Sequence, residues 1–144
     1  MPTSIPTSLR ERREAIVSEH MQAEAVKYNP AATVATFRRP YCEVPALNAV
    51  FDGAEAVLGF VTNIVSAFPD FTIRPVVLYH ADGAVIVEVR FRGTQRDVWA
   101  GIQPTGKKID VQVALIFVFE DADLVGEKIY FDQATVMRQL GVIT

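Results

Sequence analysis

The sequence predicts an α+β protein in which N-terminal helices cover an antiparallel sheet, and three observations support this prediction. Apolar residues at helical spacing, with helix start and stop signals, fill the chain up to Ala67. From Thr72 onward, runs rich in Val, Ile and Phe alternate with turn residues, which is the pattern of strands. These strands lie too close together in the sequence for the crossover helices that a parallel sheet needs.

Four helices are predicted, over residues 9–27, 30–37 and 54–67, with a short last helix that follows Asp132 and reaches Gly141. Thr7 or Ser8 is expected to cap the first helix, because a side-chain oxygen there can accept a free backbone N–H. Asn29 and Pro30 have the residue types of a cap and a first helical position, so they are expected to begin the second helix. Pro69 ends the third.

Four strands are predicted, over residues 72–79, 84–92, 108–119 and 124–131, and residues 41–47 can be extended. In the second strand the alternate residues Val85, Val87, Val89 and Phe91 share one face, which should point toward the helices. The strand over residues 108–119 becomes apolar on both faces. Because the helices cover only one face, a second copy of the chain is a plausible cover for the other, and a homodimer is expected.

Length and composition indicate one globular domain over residues 9–144, after a flexible N-terminus of residues 1–8. The formal net charge is -3 and there is no basic run, so nucleic acid is not an expected partner. The single cysteine, Cys42, excludes an internal disulfide. The sequence shows neither a secretory signal nor a membrane-length apolar run, so we expect a cytoplasmic protein with no membrane partner.

Several short motifs, taken in order, resemble the nuclear transport factor 2-like superfamily. They are Phe51-Asp52-Gly53, Ala67-Phe68-Pro69-Asp70, Gly93-Thr94, Pro104-Thr105-Gly106, Tyr130-Phe131-Asp132 and Gln139-Leu140-Gly141. Within that superfamily the chain resembles the SnoaL-like polyketide cyclases and the related limonene epoxide hydrolases and ketosteroid isomerases. The resemblance implies a cone in which helices and a curved antiparallel sheet enclose an apolar pocket.

The catalytic residues of these relatives are not all retained. The cyclase and hydrolase branches commonly place an aspartate directly before the residues matching Tyr130-Phe131-Asp132, and here that residue is Ile129. The Arg-x-Asp pair of the hydrolases falls, by strand parity, on Val89 and Phe91. The Tyr-x-Asn pair before a proline is matched in part by Tyr41 and Glu43. Epoxide hydrolysis by the known arrangement is therefore not expected.

Tyr41, Glu43 and His20 remain as catalytic candidates. Glu43 would be a general base or acid with Tyr41 as a hydrogen-bond donor, and His20 with Glu24, one helical turn later, would move a proton. The alternatives are a core-edge histidine held by Glu24 and a solvated strand-edge Glu43. The predicted ligand-binding residues are Glu24, Val89, Phe91, Trp99, Val113, Leu115 and Ile129, although a lone loop tryptophan such as Trp99 is also a common packing anchor.

Asp132 either catalyses or caps the last helix, and strand parity favours capping because Asp132 falls opposite Ile129 and Phe131.

One cysteine and two distant histidines do not have the spacing of a zinc site, and no phosphate-binding loop appears. The expected function is therefore cofactor-independent and metal-independent acid–base catalysis, of isomerase, cyclase or lyase type. The resemblance implies that its substrate is a hydrophobic, cyclic polyketide- or terpenoid-like metabolite. The alternative is a non-catalytic protein of the same fold that binds a small molecule or serves as a dimeric interaction module.

Overall fold

The computed structural model describes residues 5–144, and helices precede strands along most of the chain, as predicted. The helices are α1 (Thr7–Ala25), α2 (Pro30–Ala35), α3 (Ala54–Ala67) and α4 (Gln133–Gln139). The strands are β1 (Tyr41–Val44), β2 (Ala49–Asp52), β3 (Thr72–Ala81), β4 (Ala84–Thr94), β5 (Lys108–Glu120) and β6 (Asp123–Tyr130). In this described part of the chain, no helix is long and apolar enough to span a membrane.

The beginnings of the first two helices differ in how well they were predicted. α1 starts at Thr7, its cap position is Pro6, and no side chain there accepts a hydrogen bond, so the predicted cap by Thr7 or Ser8 is wrong. Of the N-terminus predicted to be flexible, residues 1–4 lie outside the described residues, while Thr7 and Ser8 are helical. The prediction for α2 is confirmed, because Asn29 caps it and Pro30 is its first residue.

The six strands form one curved sheet in the order β2-β1-β6-β5-β4-β3. The strands β3 to β6 make the predicted antiparallel meander. At the other edge, β1 pairs parallel with β6, which the sequence analysis did not predict. The connection between them contains α3 and four strands, so it is long enough for a parallel pairing. The predicted extended segment, residues 41–47, is interrupted by a 3₁₀ turn over Pro45–Leu47, and β2 follows it.

The inner face of the sheet forms the core with the helices. Val85, Val87 and Val89 are at most 1% exposed, which confirms the predicted orientation of β4. α1 is fastened to the end of the sheet by the buried Arg13. Its guanidinium donates to the carbonyl oxygens of Asp121 at 2.7 Å and Asp82 at 2.9 Å, which belong to two different hairpin turns. This contact fixes the helix that carries His20 and Glu24.

Candidate functional site: a carboxylate pair in an apolar cavity

A narrow cavity lies between the helices and the inner face of the sheet. The volume that the centre of a water molecule can occupy in it is about 80 Å³. The whole volume that protein atoms leave empty, which includes the open mouth, is about 690 Å³. Its walls come mainly from α3, from the inward residues of β4 and β5, and from the loop between these strands. Apart from two glutamates, every described lining residue is apolar or aromatic. The cavity therefore suits a small hydrophobic ligand.

The seven residues predicted to bind a ligand all line this cavity. They are Glu24, Val89, Phe91, Trp99, Val113, Leu115 and Ile129. Trp99 contacts Phe68 and Phe131, with ring centroids 5.9 and 6.0 Å apart, and so packs against two other aromatic residues of the cavity wall. The structure brings the seven residues together, and their ligand contacts remain a prediction.

The polar part of the cavity is formed by Glu24 from α1 and Glu127 from β6, which are 9% and 4% exposed. The imidazole of His20, which is 1% exposed, lies against both carboxylates. Its Nε2 atom is 3.4 Å from Oε2 of Glu24 and 3.5 Å from Oε1 of Glu127. Both distances exceed those of a well-formed N–H···O hydrogen bond, so Nε2 lies between the two carboxylates without a short bond to either.

Four further side chains surround this cluster. The Nδ1 atom of His20 is 2.8 Å from Oγ1 of Thr36 at the end of α2. The imidazole ring makes edge contacts with Phe37 and Phe117, with centroid distances of 5.3 and 5.2 Å. The thiol of Cys42, on β1, donates to Oε1 of Glu127 over 3.7 Å. The cluster therefore joins α1 and α2 to two strands.

The buried carboxylates control the protonation of the cluster. Burial alone would lower the pKa of His20, but the charges and hydrogen bonding of Glu127 and Glu24 raise it to about 10. Burial raises the pKa of Glu24 above its usual value, and the charge of Glu127 adds to this effect against the opposing influence of His20. Burial also raises the pKa of Cys42, so its thiol stays protonated. A cationic imidazole, one carboxylic acid and one carboxylate can act together as proton acceptor and donor.

Tyr41 and Glu43, predicted as catalytic residues, are not placed in the cavity. Along β1 the buried residues are Cys42 and Val44, and Tyr41 and Glu43 alternate with them on the opposite face of the sheet. The predicted inward orientation of Glu43 is therefore wrong. The physical reason is that burying the thiol and the valine removes apolar area from water, while Glu43 avoids the desolvation of its charge.

Of the predicted catalytic residues, His20 alone belongs to the site, and its predicted pairing with Glu24 is present. Asp132 caps α4, where its carboxylate accepts the amide of Ala134 at 3.1 Å, so capping is confirmed. Glu127 was missed by the sequence analysis. The sequence pattern that could have identified it is strand parity: alternate residues counted backward from Phe131 through Ile129 place Glu127 on the same inward face.

The described residues 5–144 contain no group of three or more His, Cys, Asp and Glu side chains arranged to hold a metal ion. In the cluster itself, the His20 nitrogen that faces the carboxylates is 3.4 Å or more from them, which is an ion-pair distance.

The helices, the curved sheet and the enclosed cavity define the class of the protein: it has the nuclear transport factor 2-like fold. The family model of the SnoaL-like polyketide cyclases matches residues 21–140, and the chain belongs to that family. The match includes Glu24 and Glu127 and begins one residue after His20. No curated protein matches the chain in sequence.

Solved structures show the same fold at low sequence identity. TsrD from Streptomyces laurentii superimposes with a TM-score of 0.79 and is 19% identical, covering 97% of this chain and 100% of its own. A phenazine biosynthesis-related protein from Pseudomonas aeruginosa gives a TM-score of 0.80 at 13% identity, covering 100% of this chain and 91% of its own. A hypothetical protein with a ketosteroid isomerase-like fold from Catenulispora acidiphila, in complex with trimethylamine, gives a TM-score of 0.75 at 18% identity. The match covers 88% of this chain and 92% of its own.

Proposed function

We propose that this protein is an acid–base enzyme of cyclase or isomerase type that needs no cofactor and acts on a small hydrophobic metabolite. The observation that supports this proposal is the convergence of Glu24 and Glu127 on one buried imidazole within an otherwise apolar cavity. Membership of the SnoaL-like polyketide cyclase family supports a cyclase and a polyketide-like substrate in particular. An apolar cavity strengthens a carboxylate base because water does not compete for it.

The two carboxyl groups have different roles in this proposal. Glu127 removes a proton from a carbon next to a substrate carbonyl, and the resulting enolate forms a carbon–carbon bond with a second carbonyl of the same molecule. Glu24, whose raised pKa favours the protonated form, gives its proton to the new alkoxide. In an isomerase the same two groups would remove and return a proton without forming a bond.

The test uses 5-nitrobenzisoxazole, a small apolar molecule whose ring opens to a coloured phenolate when a base removes its C–H proton. Glu127→Gln should lower kcat/KM by about a hundredfold or more, since a positioned base contributes roughly that factor. Glu43→Gln is the matched control, because it removes a carboxylate on the other face of the sheet. Full activity in Glu127→Gln, or loss of activity only in Glu43→Gln, would contradict the assignment of the base.

The apolar lining favours a second candidate, a protein that binds a hydrophobic molecule without converting it. Binding of 5-nitrobenzisoxazole can be followed by quenching of Trp99, the only tryptophan of the chain. Leu115→Asp should abolish binding, because it places an unpaired charge in the cavity wall. Quenching that disappears in Leu115→Asp, together with no ring opening in the wild type, would favour this second candidate.

A further inference from the structure

Thr36 faces His20 from the side away from the two glutamates. It is the C-terminal cap residue directly after α2, and its Oγ1 atom is 2.8 Å from Nδ1 of His20. The same oxygen is 2.7 Å from the carbonyl oxygen of Thr33, one turn earlier, to which its hydroxyl donates. The two contacts place the hydroxyl between an imidazole nitrogen and a backbone acceptor.

The hydrogen count decides the direction of the bond to His20. A threonine hydroxyl has one hydrogen, and here that hydrogen goes to the Thr33 carbonyl, so Oγ1 can only accept from the imidazole. The Nδ1 atom of His20 must then carry a proton. The second ring nitrogen, Nε2, is the one that faces Glu24 and Glu127, at 3.4 and 3.5 Å.

We infer that Thr36 is a positioning residue: it holds a proton on Nδ1 of His20 and leaves Nε2 to pass a proton between Glu127 and Glu24. This inference rests on the proposed function for its role in turnover. After the reaction Glu127 carries the proton that it removed, and Glu24 has lost the one that it gave. His20 restores both groups when its Nε2–H bond breaks toward Glu24 and a new Nε2–H bond forms with the proton of Glu127.

Among the residues that the structure describes, 5–144, Thr36 is the one hydrogen-bond partner of Nδ1 of His20. The titratable groups near the imidazole are Glu24, Glu127 and, through Glu127, the protonated thiol of Cys42, and all of them lie on the Nε2 side. The two aromatic rings against the imidazole cannot accept a strong hydrogen bond. Without the Thr36 hydroxyl, a buried Nδ1–H would lack an acceptor, and the proton would be lost more easily.

The test is ¹⁵N NMR of the two histidines in wild type, Thr36→Val and Thr36→Ser, with His80→Gln to assign the signals. We expect Nδ1 of His20 to be protonated in the wild type across the whole pH range measured. The midpoint of Nε2 titration should fall by about one pH unit or more in Thr36→Val, and Thr36→Ser should restore it. An unprotonated Nδ1 in the wild type, or an unchanged midpoint in Thr36→Val, would overturn the inference.

A kinetic measurement with 5-nitrobenzisoxazole completes the test. In this reaction Glu127 takes the C–H proton, Glu24 gives its proton to the ring oxygen as the N–O bond breaks, and the released phenol ionises in water, so His20 again has both groups to restore. Thr36→Val should therefore lower kcat about tenfold at unchanged KM, because the proton transfer back from Glu127 is slower, and Thr36→Ser should restore kcat. If the wild type does not open the ring, the proposed function fails, while the NMR result still decides where the proton lies. If Thr36→Val does not fold, the wild-type spectrum alone tests the proton on Nδ1.

Discussion

His20 carries the positive charge of a cluster that contains two carboxyl groups. None of the described residues that line the cavity is Lys or Arg, so no second cation is available within it. If both carboxyl groups were ionised, the cluster would carry a net negative charge in an apolar surrounding, which is costly. The arrangement is neutral when His20 is charged and Glu24 keeps its proton. The active form of the proposed enzyme thus follows from charge balance.

The raised pKa of His20 predicts how stability changes with pH. The folded protein binds this proton more tightly than the unfolded chain, so the stabilisation is fully present below the ordinary value of 6.5 and is lost as pH rises toward about 10. We expect the free energy of unfolding to fall from about pH 7 to about pH 8.5, because folding takes up the proton of His20, and the raised pKa of Glu24 adds to this uptake with the same sign. Urea denaturation across this range measures it.

Two variants show whether His20 causes this dependence. Glu127→Gln removes the carboxylate that contributes most to the raised pKa of His20, so the slope of the free energy of unfolding against pH should become shallower. Glu120→Gln removes a carboxylate whose side chain is 64% exposed, so the slope should stay as in the wild type. The pH range of the experiment ends below 9.0, the usual pKa of a cysteine thiol. At higher pH the raised pKa of Cys42 would also make the free energy of unfolding fall. Equal slopes in all three proteins would contradict the cluster's role.

The difficulty of predicting Glu127 has a local physical cause. The pairing of β5 with β6 shifts register between Val118 and Phe119, so β6 has one extra residue near its start. Counting alternate residues forward from the buried Leu124 therefore places Lys128 inside and Glu127 outside. Counting backward from Ile129 gives the observed orientation. A single sequence does not show the bulge, because its register depends on the partner strand.

At the level of elements, the prediction succeeded where local patterns determine the structure. α3 occupies the predicted residues 54–67, and β3 to β6 differ from the predicted strands by two residues or fewer at each end. The segment 41–47, predicted to be extended, contains β1. The parallel pairing of β1 with β6 and the strand β2 were not predicted, because the pairing of a four-residue strand depends on its partner strand. In α1 the buried face includes Arg13, His20 and Glu24, which apolar spacing does not identify.

The loop between β4 and β5 is held by the side chain of Gln95, which is fully buried. Its amide nitrogen donates to the carbonyl oxygens of Asp97 at 3.2 Å and Ile102 at 2.9 Å. Its oxygen accepts the backbone amide of Thr105 at 3.1 Å and the hydroxyl of Thr105 at 2.9 Å. All hydrogen-bonding positions of one amide group are thereby used within the loop that carries Trp99.

We predict that Gln95→Leu loosens this loop and exposes Trp99, which is 8% exposed in the structure. Leucine has a similar size but can make none of these four hydrogen bonds, at a cost of about 2 kcal/mol or more. Tryptophan emission should shift to longer wavelength, and urea denaturation should show the loss of stability. Gln103→Leu, in the exposed part of the same loop, should change neither. Unchanged emission in Gln95→Leu would show that Gln95 does not control the loop.

At the scale of the whole molecule, the outer face of the sheet has an apolar centre. Ala114, Ile116 and Val118 of β5 point away from the helices and are half-buried, while Tyr79 and Tyr130 beside them are 51% and 42% exposed. Charged residues flank this narrow apolar strip directly: Glu88 and Lys128, on the two neighbouring strands, pair in register with Ala114 and Ile116. An apolar centre with a charged rim is typical of a protein–protein interface.

We propose that two copies of the chain associate through this outer face, and that Ile116→Glu separates them. The substitution places a carboxylate in the apolar centre, where a partner would have to desolvate it. Sedimentation velocity at micromolar concentration should give a dimer for the wild type and a monomer for Ile116→Glu. Val26→Glu is the control, because Val26 is 70% exposed and follows α1 on the helical side, and it should remain dimeric. A monomeric wild type, or a dimer that persists in Ile116→Glu, would contradict association through this face.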